Sequence, residues 1–216
     1  MSILLISDQL IHQQLIESLL TRMGHSFVTA SNQDLAEYWL ENKRFDCALL
    51  DAHSQSPLAA EIARRVHGGQ FRRQKKMSLI LLSSSQDSKQ LREFAQLKIS
   101  DFLGSPLKMN LLGAKIEQVL ALRSPSQLPQ DEQGRWARAL LQEIRGHLKQ
   151  NQEQWILPKA QQLNQLLQSM VKSGGFSEAL LVWGEGLREL PEAPSPVHLE
   201  KSLYEIERLM DEKRAA

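Results

Sequence analysis

An aspartate that closes a short apolar run is the residue of this sequence best placed for chemistry. The stretch FDCALLD, Phe45 to Asp51, has no helical period and ends on a carboxylate. Such a run between turn signals suits a strand buried on both faces of a parallel sheet. Asp51 then stands at the carboxyl end of that strand, where open α/β sheets collect ligands and reactive groups. The plainer reading is an aspartate that turns the chain or caps a helix. Ser83–Ser84–Ser85 offers hydroxyls, but without a glycine-rich loop or a G-x-S-x-G context it does not read as a phosphate cradle or a hydrolase nucleophile. The segment FRRQKK, Phe71 to Lys76, is the one basic cluster, preceded by Arg64, Arg65 and His67. Basic clusters neutralise phosphates. With no helix-turn-helix or aromatic-basic pattern beside it, this one reads first as solvated loop charge.

The elements that would position Asp51 follow from periodicity. Ile3–Ser7 is a compact apolar run. Leu10–Met23 follows with Leu10, Ile11, Leu15, Ile16, Leu19 and Leu20 at helical spacing, and Gly24 ends that helix. Ser26–Ala30 is a second strand, and Ser31 or Asn32 caps a helix running to about Asn42. FDCALLD is the third strand. Pro57–His67 reads as helix, Ser78–Leu82 as strand, Ser88–Leu97 as helix, Ile99–Leu103 as strand and Leu107–Leu122 as helix. Five strand–helix units in succession imply an α/β domain with a five-stranded parallel sheet covered on both faces.

Arg123–Asp131, RSPSQLPQD, is a proline-containing polar boundary. Beyond it nothing reads as strand. Helices are expected at Glu132–Gln150, Glu153–Ser173, Phe176–Leu190 and Val197–Lys213, with Pro158 in the first turns of the second or delaying its start. Four amphipathic helices on short loops predict an up-and-down bundle. The expected division is a domain over 1–122, a linker over 123–131 and a bundle over 132–216. Trp136, Trp155 and Trp183 fall in the bundle and read as core or interface anchors.

Composition narrows the function classes. With 42% hydrophobic and 24% charged residues the chain has the make-up of an ordinary globular protein, and a net charge of +1 gives no global pull toward nucleic acid or membrane. The single cysteine, Cys47, excludes an intrachain disulfide and a cysteine metal cluster. MSILLISD lacks a basic flank and a cleavage signature and reads as a first strand, not a signal peptide. No run approaches the ~20 apolar residues of a membrane span. A cytoplasmic protein is expected.

On order and spacing, the first ~120 residues resemble a response-regulator receiver domain, the flavodoxin-like (βα)5 fold of two-component signalling. Asp8, Asp51, Ser83 and Ser105–Pro106 follow the first, third, fourth and fifth strands at intervals close to the family's. The resemblance implies that Asp51 holds the phospho-acceptor position, Asp8 that of a metal-binding acid, and Ser83 and Phe102 those of the switch hydroxyl and switch aromatic. Two positions depart from the pattern. Ser7–Asp8 stands where the family has adjacent acids, and Ser105–Pro106 where it has Lys–Pro; the loop AHSQSP after Asp51 also lacks the usual Met–Pro. Phosphoryl transfer is mostly charge neutralisation and positioning, so losing a carboxylate and a cation weakens it. Asp8, Asp51 and the carbonyl of His53 would hold Mg2+ weakly if at all, since that ion wants octahedral oxygen ligation.

The second half loosely resembles a histidine-phosphotransfer domain. Gln161 and Asn164 in AQQLNQ stand where that family carries its His and Lys, while His198–Leu–Glu–Lys201–Ser202 has the spacing on the last helix and His147 precedes Leu148–Lys149. Each of these histidines reads first as a solvated helix residue. Together the readings predict a non-enzymatic signalling protein with a pseudo-receiver, acting through protein contacts and without a resident cofactor. The resemblance implies a histidine kinase or another signalling protein as partner, and a homodimer as a second mode. The expected contact face carries Arg92, Lys98, Lys115 and Glu117 around Phe94, Leu97 and Phe102. A working phosphoryl acceptor at Asp51 and a nucleic-acid regulator acting through Phe71–Lys76 are the competing readings.

Overall fold

The computed structural model describes residues 1–53, 57–83, 94, 96–97, 99–104, 106–122, 125–150, 155–173, 176, 178–188 and 196–212. The chain divides into two compact units, Met1–Arg123 and Ser124–Ala216. In the first, five strands, β1 (Ser2–Ile6), β2 (Ser26–Ala30), β3 (Cys47–Asp51), β4 (Ser78–Ser83) and β5 (Asp101–Gly104), form one sheet. Its order is β2-β1-β3-β4-β5 and every pairing is parallel. Parallel strands need crossovers, and α1 (Leu10–Arg22), α2 (Gln33–Asn42) and α3 (Leu58–His67) supply three of them, while α4 (Met109–Leu122) follows β5. The helix predicted at Ser88–Leu97 lies largely outside the described residues.

Burial follows position in the sheet. Central β3 is buried at every residue and β1 at all but Ser2, whereas edge strand β5 alternates buried and half-buried residues. Strand alternation sends Ile3, Leu5, Cys47, Leu49, Ile80, Leu82 and Leu103 to one face, where they pack with Ile16, Leu19 and Leu20 of α1 and Leu112, Ile116, Val119 and Leu120 of α4. Gly24, at φ 72°, closes α1: it takes the left-handed conformation that a helix end of this type requires. Asn32 caps α2 by accepting from the Leu35 N–H at 3.0 Å.

Three sequence expectations need correction. Leu10, Ile11 and Leu15 of α1 are exposed, as are Leu35, Tyr38 and Leu111. The inward stripe of α1 instead runs His12, Gln13, Ile16, Leu19, Leu20, one helical face at 3.6 residues per turn. Phe94, expected on an exposed contact face, is buried, and Lys115 turns to the buried Asp101 at 2.8 Å. Arg92 and Lys98 of that face lie outside the described residues.

The basic segment is built around two anchors. Phe71 is buried, with the Arg65 guanidinium over its ring. Buried Gln74 donates to the carbonyls of Leu40 (2.7 Å) and Lys43 (2.6 Å) and accepts from the Phe45 N–H (3.2 Å), tying the end of α2 to the entry of β3. Arg72, Arg73, Lys75 and Lys76 are exposed between and beyond these anchors. All of this sits at the amino ends of the strands, opposite Asp51.

The second unit contains α5 (Gln130–Lys149), α6 (Ile156–Lys172), α7 (Ala179–Arg188) and α8 (Pro196–Glu212). Pro158 occupies the first turn of α6, where its missing N–H costs nothing. Helix α5 packs on α6 and α8, α6 on α7, and α7 on α8, which is the cyclic neighbour order of a bundle. Trp155 is buried, while Trp136 and Trp183 are half-buried. A Cβ on Gly184 of α7 would lie 2.7 Å from Asn164 Oδ1 and 3.3 Å from Leu167 Cδ1, so a larger residue there must displace these two α6 side chains, both buried, to keep this close an approach.

Replacing Gln74 by Ala should lower the stability of the first unit by about 2 kcal/mol, because two carbonyls and an N–H lose their buried partner; urea unfolding of the full chain measures it. Gly184→Ala should cost about 1–3 kcal/mol through overpacking against α6, and a wild-type midpoint in that variant would refute the close-approach argument.

Candidate functional site

The carboxyl ends of β1 and β3 meet at the site. Their register pairs Leu5 with Leu49, and two residues further along the same pleat face stand Ser7 and Asp51. Period-2 alternation alone therefore turns both side chains toward α1. The first turn of α1 fills its inward stripe with polar residues, so His12 reaches the same point, while Gln13 Nε2 donates to the Ser7 carbonyl at 2.5 Å and braces that turn of chain.

Asp51 is the centre of this arrangement, and its side chain is 0% exposed. Ser7 Oγ donates to Oδ2 at 2.6 Å, and His12 Nδ1 lies 2.9 Å from the same oxygen. On the other oxygen, Oδ1, His53 Nδ1 lies at 2.7 Å and the His53 backbone N–H donates at 3.1 Å. An ionised carboxylate only accepts, so each Nδ1 facing it carries a proton. The two imidazoles cross edge to face with centroids 4.6 Å apart. Burial by itself pushes the Asp51 carboxyl upward. The hydrogen bonds from the His53 ring, Ser7, His12 and the His53 N–H together outweigh that and hold it lowered from 3.8 to about 2.

Of the residues predicted here from sequence, Ser7, Asp51 and His53 are brought together, the last through its imidazole and N–H. Asp8 is exposed and is not among the groups bonded to Asp51. Ser83 is buried at the end of β4, opposite Gly104 of β5. Phe102 is half-buried in β5, its ring close to Gly104. Ser105 lies outside the described residues. His12 was missed by sequence reasoning; the signal for it is a polar residue on the buried stripe of a helix that starts at the carboxyl end of a strand. In the bundle, Gln161 is exposed and Asn164 buried, and His198 is exposed while His147 is half-buried.

The receiver resemblance implies Mg2+ at this end of the sheet. The groups gathered on Asp51 are a hydroxyl and two imidazoles, whereas Mg2+ takes an octahedron of oxygens. The donor set does not fit that ion.

With this geometry in view, comparison with solved structures identifies the fold. The receiver domain of a CheY-like response regulator from Methanospirillum hungatei JF-1 superposes with a TM-score of 0.51 at 17% identity, covering 57% of this chain and 95% of that one. The signal receiver domain of a modulated diguanylate cyclase from Desulfovibrio desulfuricans G20 gives 0.50 at 21% identity, again covering 57% and 95%. The signal receiver domain of a two-component histidine kinase from Clostridium thermocellum gives 0.50 at 15%, covering 55% and 96%. The first unit has the response-regulator receiver fold, followed by a helical unit. No protein-family model matches the sequence, and no curated protein matches it.

The pH dependence of Asp51 has a definite sign. Its folded-state pKa lies below the ordinary value of 3.8, so its contribution to stability is full above about pH 4 and is lost as the pH falls toward 2. Asp51→Asn should cost about 2 kcal/mol near neutrality, and the wild-type and variant unfolding free energies should converge between pH 4 and pH 2 in a urea series. Parallel curves across that window would contradict the assignment.

Proposed function

We propose that this protein is a signalling or regulatory protein whose receiver-fold unit works through protein–protein contacts and not through a phosphorylation cycle at Asp51. The observation that carries this reading is the burial of the carboxylate under its own partners. A phosphodonor must approach an aspartate oxygen in line, and both oxygens of Asp51 are taken by Ser7, His12 and His53 with none of the side chain exposed. Phosphoryl transfer also depends on cations that offset the equatorial oxygens; Ser7 replaces one of the acids that would hold such a cation. The partner class implied by the fold is a histidine kinase or another signalling protein, in the cytoplasmic setting such partners share. Among the described residues no helix is long and apolar enough to cross a membrane. The helical bundle supplies a second contact surface, with Trp136 and Trp183 only half-buried. Phe71 and Gln74 anchor the basic segment to the fold and leave Arg72, Arg73, Lys75 and Lys76 exposed, so a nucleic-acid contact through them is the third reading.

A second reading, a working phosphoryl acceptor, is favoured by one fact: Asp51 is held ionised at the strand end, the state that a nucleophile needs. Intact mass of the full chain after incubation with acetyl phosphate and Mg2+ separates the two. No added phosphoryl mass is expected for the wild type. Stoichiometric acyl phosphate that disappears in Asp51→Asn would establish the second reading instead.

A further inference from the structure

The donor set that rejects Mg2+ suits another class of ion. We propose that His12, His53 and Asp51 form a binding site for a borderline divalent transition metal of the Zn2+ type. The three side chains offer one ligand atom each, all within 4.8 Å of one another, and they are the group with this property among the described residues. Two imidazoles with one carboxylate form a nitrogen-rich set that Zn2+, Co2+ and Ni2+ prefer and that Mg2+ and Ca2+ do not.

His53 Nδ1 and His12 Nδ1 stand 2.7 and 2.9 Å from opposite oxygens of one carboxylate, and the ligand atoms of the three side chains lie within 4.8 Å of one another. Tetrahedral ligands at ordinary Zn–N and Zn–O lengths lie about 3.3 Å apart, so the two imidazoles turn from the separate oxygens toward one point as an ion replaces the protons between them. The proton on each ligating nitrogen passes to the other nitrogen of its ring or to solvent.

The supports around the site are those of a positioned ligand set. Asp51 ends a fully buried strand, Ser7 Oγ fixes its Oδ2 at 2.6 Å, and Gln13 holds the Ser7 carbonyl at the base of α1. Such outer partners orient ligands and tune the metal. Access is one-sided: the side chain of His53 is 7% exposed and that of His12 22%. Three protein ligands leave a fourth tetrahedral position, which a water entering past the His12 side chain, 22% exposed, would fill.

This inference goes beyond the contact-module reading, and the two fail separately, because metal binding and acyl-phosphate formation are different measurements. The test uses the full chain without a histidine tag, titrated with Zn2+ by calorimetry and with Co2+ by visible absorption. One equivalent of Zn2+ should bind with micromolar or tighter Kd, Co2+ should give the d–d bands of a four-coordinate site, and a large excess of Mg2+ should not displace either. His12→Ala and His53→Ala should each weaken binding at least tenfold while keeping the wild-type circular dichroism, and His198→Ala, at an exposed helix position, should leave it unchanged. If either site variant fails to fold, His12→Gln and His53→Gln replace it. Absence of saturable Zn2+ binding below about 100 µM, a level at which specific sites of this kind are filled, would overturn the proposal. So would Zn2+ binding that survives the loss of both His12 and His53.

Discussion

The groups gathered on Asp51 answer one electrostatic requirement, that its carboxylate be stable out of water. An unpartnered charge at a site with no exposure would cost several kcal/mol or would neutralise by taking up a proton. Here the charge is kept, because four donors converge on two oxygens. They come from three constraints: Ser7 from the pleat of β1, His12 from the inward stripe of α1, and the His53 ring and N–H from the turn that leaves β3. The apolar column beneath them, Leu5, Leu49 and Ile16 among its members, closes the site from the core side.

The same fold at the same strand ends can serve opposite chemistries, which is why fold alone does not settle function. A set of acids open to solvent there would gather a hard cation and leave an aspartate oxygen free for attack. In this chain a hydroxyl and two imidazoles occupy the carboxylate instead, and the oxygens that would meet a donor are already hydrogen-bonded. The change needs few residues. Ser7 and His12 lie within one β–turn–α connection, and His53 is two residues from Asp51.

The helical unit shows a comparable use of buried polarity. Lys159 is buried and paired with Glu143 at 2.7 Å, and Asn164 is buried where α6 meets Gly184 of α7. Pairs of this kind add little net stability over apolar packing but penalise any register that separates them.

What the sequence determined by itself was local and periodic. Short aliphatic runs specified the strands, Gly24 and the Ser31–Asn32 pair marked helix ends, and the unbroken apolar run of FDCALLD placed Asp51 at the end of a strand buried on both faces. Ser7 was legible as a departure only through the receiver resemblance, which expects an acid there; periodicity adds that it shares a face with Ile3 and Leu5. The exposure of Leu10, Ile11 and Leu15 was not legible, because an apolar residue on a helix can lie on either side of the stripe that packs. Nor was the role of His12. It lies 39 residues from Asp51 in the chain, and periodicity states only which face of α1 is buried. What that face meets is decided by where α1 lies across the sheet, and that position is set by the packing of Ile16, Leu19 and Leu20 against β1 and β3, which exists only in the tertiary structure.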